Sequence, residues 1–541
     1  MTNPAAASTY RVWGWGEPAD EPTPAALTAA RPMLAARLGF ALAEPEQPAA
    51  LAELPADRVS RLLPGALAGL ASADPLDRAA HGLGRSYPDL VRGIRGRPDH
   101  VPDVVVRPRD EADILALLEA AADARWAVIP FGGGTSVVGG VEPVVGAGWA
   151  GVLALDLELL QGVRELDPVS RAARVGAGTR GGELERQLAA HGLTARFFPQ
   201  SFERSTVGGW VATRAAGHFA TRLTHVDDLV ESVRAVTPVG VWESRRLPGS
   251  GAGPSPDRML LGSEGSLGVI TEAWLRVQPR PRHRWSAVLA APDFPTGAAA
   301  VRELLHEGLL PAACRVVDAA EATLTGLLTT GEAALVLGLE STGDPLTESA
   351  GHALAVCADA GLRLVESGSR ESSGGSGGAG SGGAGGAWRA TFLRAPYLRE
   401  QLVLLGVLTD TFETAVTWDR LPALIAGVRS AVGSALQRVC GAGLLTCRIT
   451  HAYVDGAAPY FTILAPARRG SELAQWRELK AAASDAVLAQ GGTITHHHAV
   501  GRDHLPWYEA QRPQPFARAL AAAKAAVDPA GILNPGVLGL R

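Results

Sequence analysis

The residues of this chain best suited to chemistry are glycines with hydroxyls beside them. Residues 128–140 read VIPFGGGTSVVGG. With no side chains on Gly132, Gly133 and Gly134, the backbone can turn so that several N–H groups converge on one oxyanion. Thr135 and Ser136 add hydroxyl donors, and Pro130 and Phe131 close the apolar run before them. The chemistry this suits is the binding of a pyrophosphate. No Gly-Lys-Ser/Thr follows, so this is not a nucleoside-triphosphate loop, and the spacing is not that of a dinucleotide fingerprint. Alone, the stretch reads equally well as an ordinary glycine-rich turn. Two further clusters follow in order. Gln200 and Ser201 precede Ser205, Thr206, Gly208 and Gly209, with Thr213, Arg214 and Ala215 just beyond. Then come Glu264, Gly265, Ser266, Leu267, Gly268, Val269 and Ile270. Three such loops between residues 128 and 270 could together line one long, flat, phosphate-bearing cofactor.

Three consecutive histidines, His496, His497 and His498, form the second feature. They end a predicted strand over 493–498. Strand alternation would send His496 and His498 to one face and His497 to the other, so no single metal is expected to collect all three. The four cysteines show no C-x-x-C spacing, so neither a zinc site nor a disulfide framework is expected.

The elements that must position these groups read as α+β. Residues 104–106 form a short apolar strand. Asp110 then caps a helix with Ile114, Leu117, Leu118 and Ala121 on one face, and 126–129 is the strand feeding the first glycine loop. Further strands are expected at 151–157, 163–166, 172–175, 273–277, 334–339, 363–365, 447–450 and 460–463, with helices near 181–191 and 396–407. Residues 367–387 are almost wholly Gly, Ser and Ala and predict a flexible surface loop. The 541 residues allow two or three domains. A net charge of -5 excludes a nucleic-acid footprint. No apolar run is long enough to span a bilayer and no secretory leader is evident, so a cytoplasmic protein is expected, bacterial by its composition.

The three loops in this order resemble the vanillyl-alcohol-oxidase family of flavoproteins, and within it the alkylglycerone-phosphate synthases. The matching stretches are Trp13–Gly16, Ser205–Trp210 with Thr213–Ala215, Arg399, Thr411–Thr414, Trp418–Arg420, Thr446–Thr450, Tyr460-Phe461 and His496–Gly501. The resemblance implies a two-subdomain FAD-binding fold with an α+β cap. The parts would be an N-terminal helical arm (1–98), an FAD-binding domain (99–282), a cap (283–500) and a C-terminal segment (501–541) returning to the FAD domain. It implies non-covalent FAD held by the three loops. It also implies exchange of the acyl group of acyl-dihydroxyacetone phosphate for a fatty alcohol in ether-lipid synthesis, with no net redox change. By position, Tyr460 is the catalytic acid/base, His496, His497 and His498 are the essential histidine run, Arg399 holds the substrate phosphate and Arg315 supports activity. Expected partners are a lipid substrate, a peripheral membrane contact and a homodimer, with no nucleic acid. One departure keeps an alternative open. Residues 532–536, ILNPG, resemble the ending of D-lactate and glycolate dehydrogenase-type flavoproteins, which would make this an FAD-linked oxidase or dehydrogenase of a 2-hydroxy acid. A flavin-binding protein without turnover is the third reading.

Overall fold

The computed structural model describes residues 11–16, 20–371 and 397–540. Four strands, β1 (Ala71–Ser72), β2 (Val104–Val106), β3 (Trp126–Phe131) and β4 (Gly151–Asp156), make the first sheet in the order β1-β2-β4-β3. β2, β4 and β3 are parallel. Parallel strands need crossovers, and the helix Glu111–Ala124 supplies one. The Asp110 carboxylate accepts the N–H of Asp113 at its start, and Ile114, Leu117, Leu118 and Ala121 are its buried face. The run VVV of β2 is buried at every position, as a strand covered on both faces must be.

Seven strands follow: β5 (Val163–Asp167), β6 (Ala172–Gly176), β7 (Leu193–Thr194), β8 (Val230–Thr237), β9 (Gly240–Glu243), β10 (Val269–Arg276) and β11 (Gln278–Pro279). β5, β6, β10, β8 and β9 form an antiparallel sheet in that order, while β7 pairs with β11. The two larger sheets share one apolar core, joined by Ile532 and Leu533 from the C-terminal segment. That segment returns alongside β3: Val128 N–H donates to Ile532 O at 2.8 Å and Asn534 N–H donates to Val128 O at 2.9 Å.

The third sheet holds β12 (His283–Ala291), β13 (Ala313–Val317), β14 (Ala333–Ser341), β15 (Arg363–Glu371), β16 (Val407–Glu413), β17 (Val416–Thr417), β18 (Leu444–Ala452) and β19 (Gly456–Pro466). Its order is β15-β12-β14-β13-β18-β19-β16, with β17 also on β19. The helices Phe294–His306, Thr347–Asp359, Leu421–Cys440 and Glu472–Ala489 bury their apolar faces in this sheet's core. The N-terminal arm belongs to the same core through Trp13 and Leu27. Helix α1 (Pro24–Leu38) packs Leu38 against Leu402, Val407 and Leu464.

Two expectations are corrected. Residues 493–498 are not a strand: they form an irregular loop whose backbone N–H groups turn inward onto a carboxylate instead of pairing in a ladder. Residues 367–371 are not loop, because they complete β15, where Ser369 lies opposite Trp285 on β12. The rest of the Gly/Ser tract, 372–387, lies outside the described residues. No helix among the described residues is long and apolar enough to cross a membrane.

Candidate active site

A cavity of about 1010 Å³ lies between the glycine loops and the open face of the third sheet. Pro130, Phe131, Gly132, Gly133, Gly134, Thr135 and Ser136 line it from β3 onward. So do Gln200, Ser201, Ser205, Thr206, Gly208, Gly209, Thr213 and Ala215 of the second loop, and Glu264, Gly265, Gly268 and Ile270 of the third. Arg214, Ser266, Leu267 and Val269 do not. Arg214 turns outward to pair with Asp227 at 2.7 Å. Ser266 spends its hydroxyl on Ser263 O at 2.6 Å, Leu267 is core, and Val269 faces inward from β10.

The glycines are required by close approach. A Cβ on Gly133 would sit 2.2 Å from Arg204 O, and one on Gly132 would sit 2.4 Å from Thr206 Oγ1. The first and second loops therefore touch through bare backbone. Among the described residues, none accepts a hydrogen bond from the backbone N–H groups of Gly132, Gly133, Gly134, Thr135 or Ser136. Five backbone donors without a protein acceptor, on consecutive residues that line one cavity, fit a cofactor's pyrophosphate. The third loop is clamped to the C-terminal segment: Glu264 accepts the N–H groups of Val500 (2.9 Å) and Gly501 (2.8 Å), and Asn534 Nδ2 donates to Glu264 O at 2.8 Å. Burial raises the Glu264 carboxyl to about 7, although those N–H groups oppose the shift.

The facing wall comes from strand alternation. Thr409 and Thr411 on β16, Thr446, Arg448 and Thr450 on β18, and Tyr460, Thr462 and Leu464 on β19 all line the cavity. Their spacing of two places one face of three neighbouring strands toward it. Tyr460 lies opposite Glu413 on one neighbour and Arg448 on the other. The Arg448 guanidinium sits 4.1 Å over the Tyr460 ring and pairs with Glu321 at 2.7 Å. Burial raises the Tyr460 pKa, with Arg448 acting against it, so the phenol keeps its proton near neutrality.

Arg399, on the helix 397–404, lines the same cavity. Its Nη1 donates to Arg85 O at 3.1 Å, while Nε and Nη2 are buried and unpartnered among the described residues. Arg315 on β13 also lines the cavity, and its Nη2 donates to His218 O at 2.7 Å.

The histidine loop is organised by Glu413, which is 1% exposed. Its carboxylate accepts the N–H groups of His496 (2.5 Å), His497 (3.1 Å) and His498 (3.0 Å), and the Thr495 hydroxyl at 2.6 Å. Burial opposes the Glu413 charge, but the three imidazoles and the Thr495 hydroxyl hold its pKa well below the usual carboxylate range. His497 and His498 line the cavity, and His497 stacks beside Tyr460 with 6.1 Å between ring centroids. His496 points behind them, onto His225 and Tyr453. The grouping expected from alternation is thus replaced by another: His451, His496 and His497 bring ring nitrogens within 4.8 Å of one another. Burial lowers His497 to about 3 and His498 to about 4, so the rings are neutral.

Glu413, Arg448, His451, His225 and Tyr453 were not assigned roles from sequence. The period-two polar residues within β16 and β18 were the available signal for the first two. His225 and Tyr453 come from distant parts of the chain and carried none.

Leucines cluster in one part of the lining, with Leu34 and Leu38 of α1 packed near Leu324, Leu402 and Leu464 and with Leu398, and Arg37 of α1 lines the cavity among them.

The chain matches the family described as FAD binding domain over residues 102–244, and the one described as FAD linked oxidases, C-terminal domain over residues 280–538. An alkyldihydroxyacetonephosphate synthase of Caenorhabditis elegans is 31% identical, aligned over 84% of this chain and 79% of its own. One from Dictyostelium discoideum is 28% identical over 85% and 77%. A solved alkyldihydroxyacetonephosphate synthase superposes with a TM-score of 0.78 at 23% identity, over 97% of both chains. p-Cresol methylhydroxylase has the same fold, with a TM-score of 0.68 at 14% identity over 89% of this chain and 95% of that one. FAD is the cofactor of this protein, and the chain belongs to the alkyldihydroxyacetonephosphate synthase family of FAD-linked proteins.

Proposed function

We propose that this protein exchanges the acyl group of acyl-dihydroxyacetone phosphate for a fatty alcohol, forming the ether bond of an ether lipid. One observation carries the reading: a single cavity joins a cationic polar wall, with Arg399, Arg448 and Arg315, to a part lined by leucines. A phosphate head and a hydrocarbon chain would be held at once. A small 2-hydroxy acid would use only the polar wall and leave the leucine-lined part empty.

The reaction needs a proton removed beside a ketone, a carboxylate expelled and an alcohol admitted. FAD, when bound by the three loops without a covalent link, supplies the electron sink that makes loss of the carboxylate feasible. Arg399 offers two unpaired donors for the phosphate oxygens. The Tyr460 hydroxyl, protonated at neutral pH, gives and recovers a proton at the reacting carbon's oxygens. His497, neutral and stacked beside it, takes up the proton that leaves. Phe131, Leu157 and Ile270 add apolar surface to the cavity on the side of the glycine loops. We also propose a membrane contact where a lipid would enter: Met33 is 52% exposed beside Leu34, and Leu398 is 43% exposed in the cavity's leucine-lined part.

The test is anaerobic incubation with acyl-dihydroxyacetone phosphate and then a fatty alcohol. Ether product should form, the flavin should end fully oxidised, and denaturation should release all of the flavin from the polypeptide. Rapid flavin bleaching by D-lactate or glycolate, with no ether formed, would establish the 2-hydroxy-acid oxidoreductase instead.

A further inference from the structure

The exchange proposed above has a proton balance that the cavity must satisfy. The bond between the sugar carbon and the ester oxygen breaks, and the carboxylate leaves with the electron pair. The alcohol oxygen bonds to that carbon and its O–H proton is lost. The proton removed beside the ketone is returned, so it cancels. A fatty acid is ionised near neutrality, so each turnover leaves one proton over. That proton is produced within the cavity lined by Tyr460, His497 and His498.

A hydrogen-bonded chain leads away from it. His497 lines the cavity, and its Nδ1 lies 3.0 Å from His496 Nδ1. The other nitrogen of His496, Nε2, lies 2.7 Å from the Tyr453 hydroxyl and 3.0 Å from His225 Nε2. The Tyr453 hydroxyl continues to Thr224 Oγ1 at 3.3 Å. His225 Nδ1 faces Arg214 O at 3.2 Å. Neither Tyr453 nor His225 lines the cavity, and both are partly exposed. The chain therefore runs from the cavity lining to two partly exposed groups outside it.

We infer that His497, His496 and the paired outlets His225 and Tyr453 form a proton relay that carries the leftover proton from the cavity to solvent. The inference rests on the synthase reading of the site. An imidazole can accept a proton on one nitrogen and release one from the other, and His496 has both nitrogens in the chain. Burial keeps His496 and His225 uncharged at rest, with pKa values below the ordinary histidine range, so neither ring retains a proton that passes along the chain. Other charged groups around the chain are Glu413, which holds the backbone of the histidine loop, Asp227 and Asp228 beside His225, and Arg214. The aspartates favour a transient positive charge on the His225 outlet. Two outlets in parallel mean that removing one leaves the other.

The experiment uses the FAD-loaded full chain and the double variant His225→Phe/Tyr453→Phe. Ether formation and proton release are followed together with a pH indicator in dilute buffer. The wild type should release one proton per ether and show little dependence on buffer concentration. The double variant should keep its flavin and its KM, lose about tenfold or more in kcat, and recover as imidazole buffer is added. A merely structural role would not respond to buffer. The single variants should each lose less than the double. Should the double variant unfold or lose FAD, the milder pair His225→Gln with Tyr453→Phe serves. Wild-type turnover in either pair at low buffer, or a loss that imidazole does not restore, overturns the relay. Absence of ether and of proton release in the wild type overturns the synthase reading and the relay with it.

Discussion

Tyr460 shows how three strands can set one hydroxyl. It lies between Glu413 and Arg448 in register, beneath a guanidinium and beside a neutral imidazole. Its burial raises its pKa, so near neutrality it is a proton donor first. Tyr460→Phe removes only the hydroxyl and leaves the ring to pack. We expect kcat to fall by about 10²–10⁴-fold with flavin content unchanged, measured as absorbance per mole of protein. Arg399→Ala acts differently, because it removes two buried, unpartnered donor nitrogens from the cavity wall where the proposed phosphate would sit. We expect the KM for acyl-dihydroxyacetone phosphate to rise by roughly 10–100-fold with a smaller effect on kcat. Equal loss of activity toward a substrate lacking the phosphate would show that Arg399 does something else.

At the scale of elements, the glycine loops were legible in the sequence because their chemistry is local. Missing side chains, flanking hydroxyls and a preceding apolar strand all lie within a few residues. The facing wall was legible only in part. Tyr460 and Arg399 came only by position from the family resemblance, and the partners that place Tyr460 are cross-strand neighbours far away in the chain. The histidine run was misread as a strand because the local pattern of Thr and Ile suits one. What wins instead is Glu413, a buried carboxylate that needs donors and takes them from the backbone of that run. The loop's shape is therefore a consequence of one charge on another strand. Glu413→Ala would strand three buried N–H groups at once. We expect it to cost about 2–5 kcal/mol in denaturant unfolding and to abolish turnover. Glu413→Gln keeps an acceptor and should cost less stability than Ala. If the two variants unfold alike, the carboxylate is not what holds the loop.

At the scale of the whole molecule, two cores meet across the cavity, and ionisable groups sit in both walls. His81 braces the first core. Its Nε2 contacts Asp156 of β4 at 3.0 Å, its Nδ1 side faces Asp77, and its ring packs on Phe131 at the start of the first glycine loop. Burial opposes its charge, but hydrogen bonds to Asp156 and Asp77 win and raise it to about 9. His504 is the opposite case in the C-terminal segment. Burial and nearby Lys480 lower it to about 3. The linkage signs follow from which state holds more protons. Between an ordinary pKa of 6.5 and about 9, folded His81 keeps a proton that the unfolded chain gives up. Its stabilisation is therefore full below 6.5 and is lost as pH rises through about 9. Between about 3 and 6.5 the unfolded chain holds a proton that His504 in the folded state refuses, so its burial costs stability as pH falls below 6.5. Variants separate these from the other titrating groups. The stability gap between wild type and His81→Gln should be constant below pH 6.5 and shrink toward pH 9. The gap for His504→Gln should move toward the variant's favour as pH falls from 6.5 to 4. Both are read from urea unfolding at fixed ionic strength. A gap for His81→Gln that widens with rising pH would mean that the ring is neutral when folded, and that the network at the base of the first glycine loop is held by Arg107 with Asp77, Asp156 and Glu158.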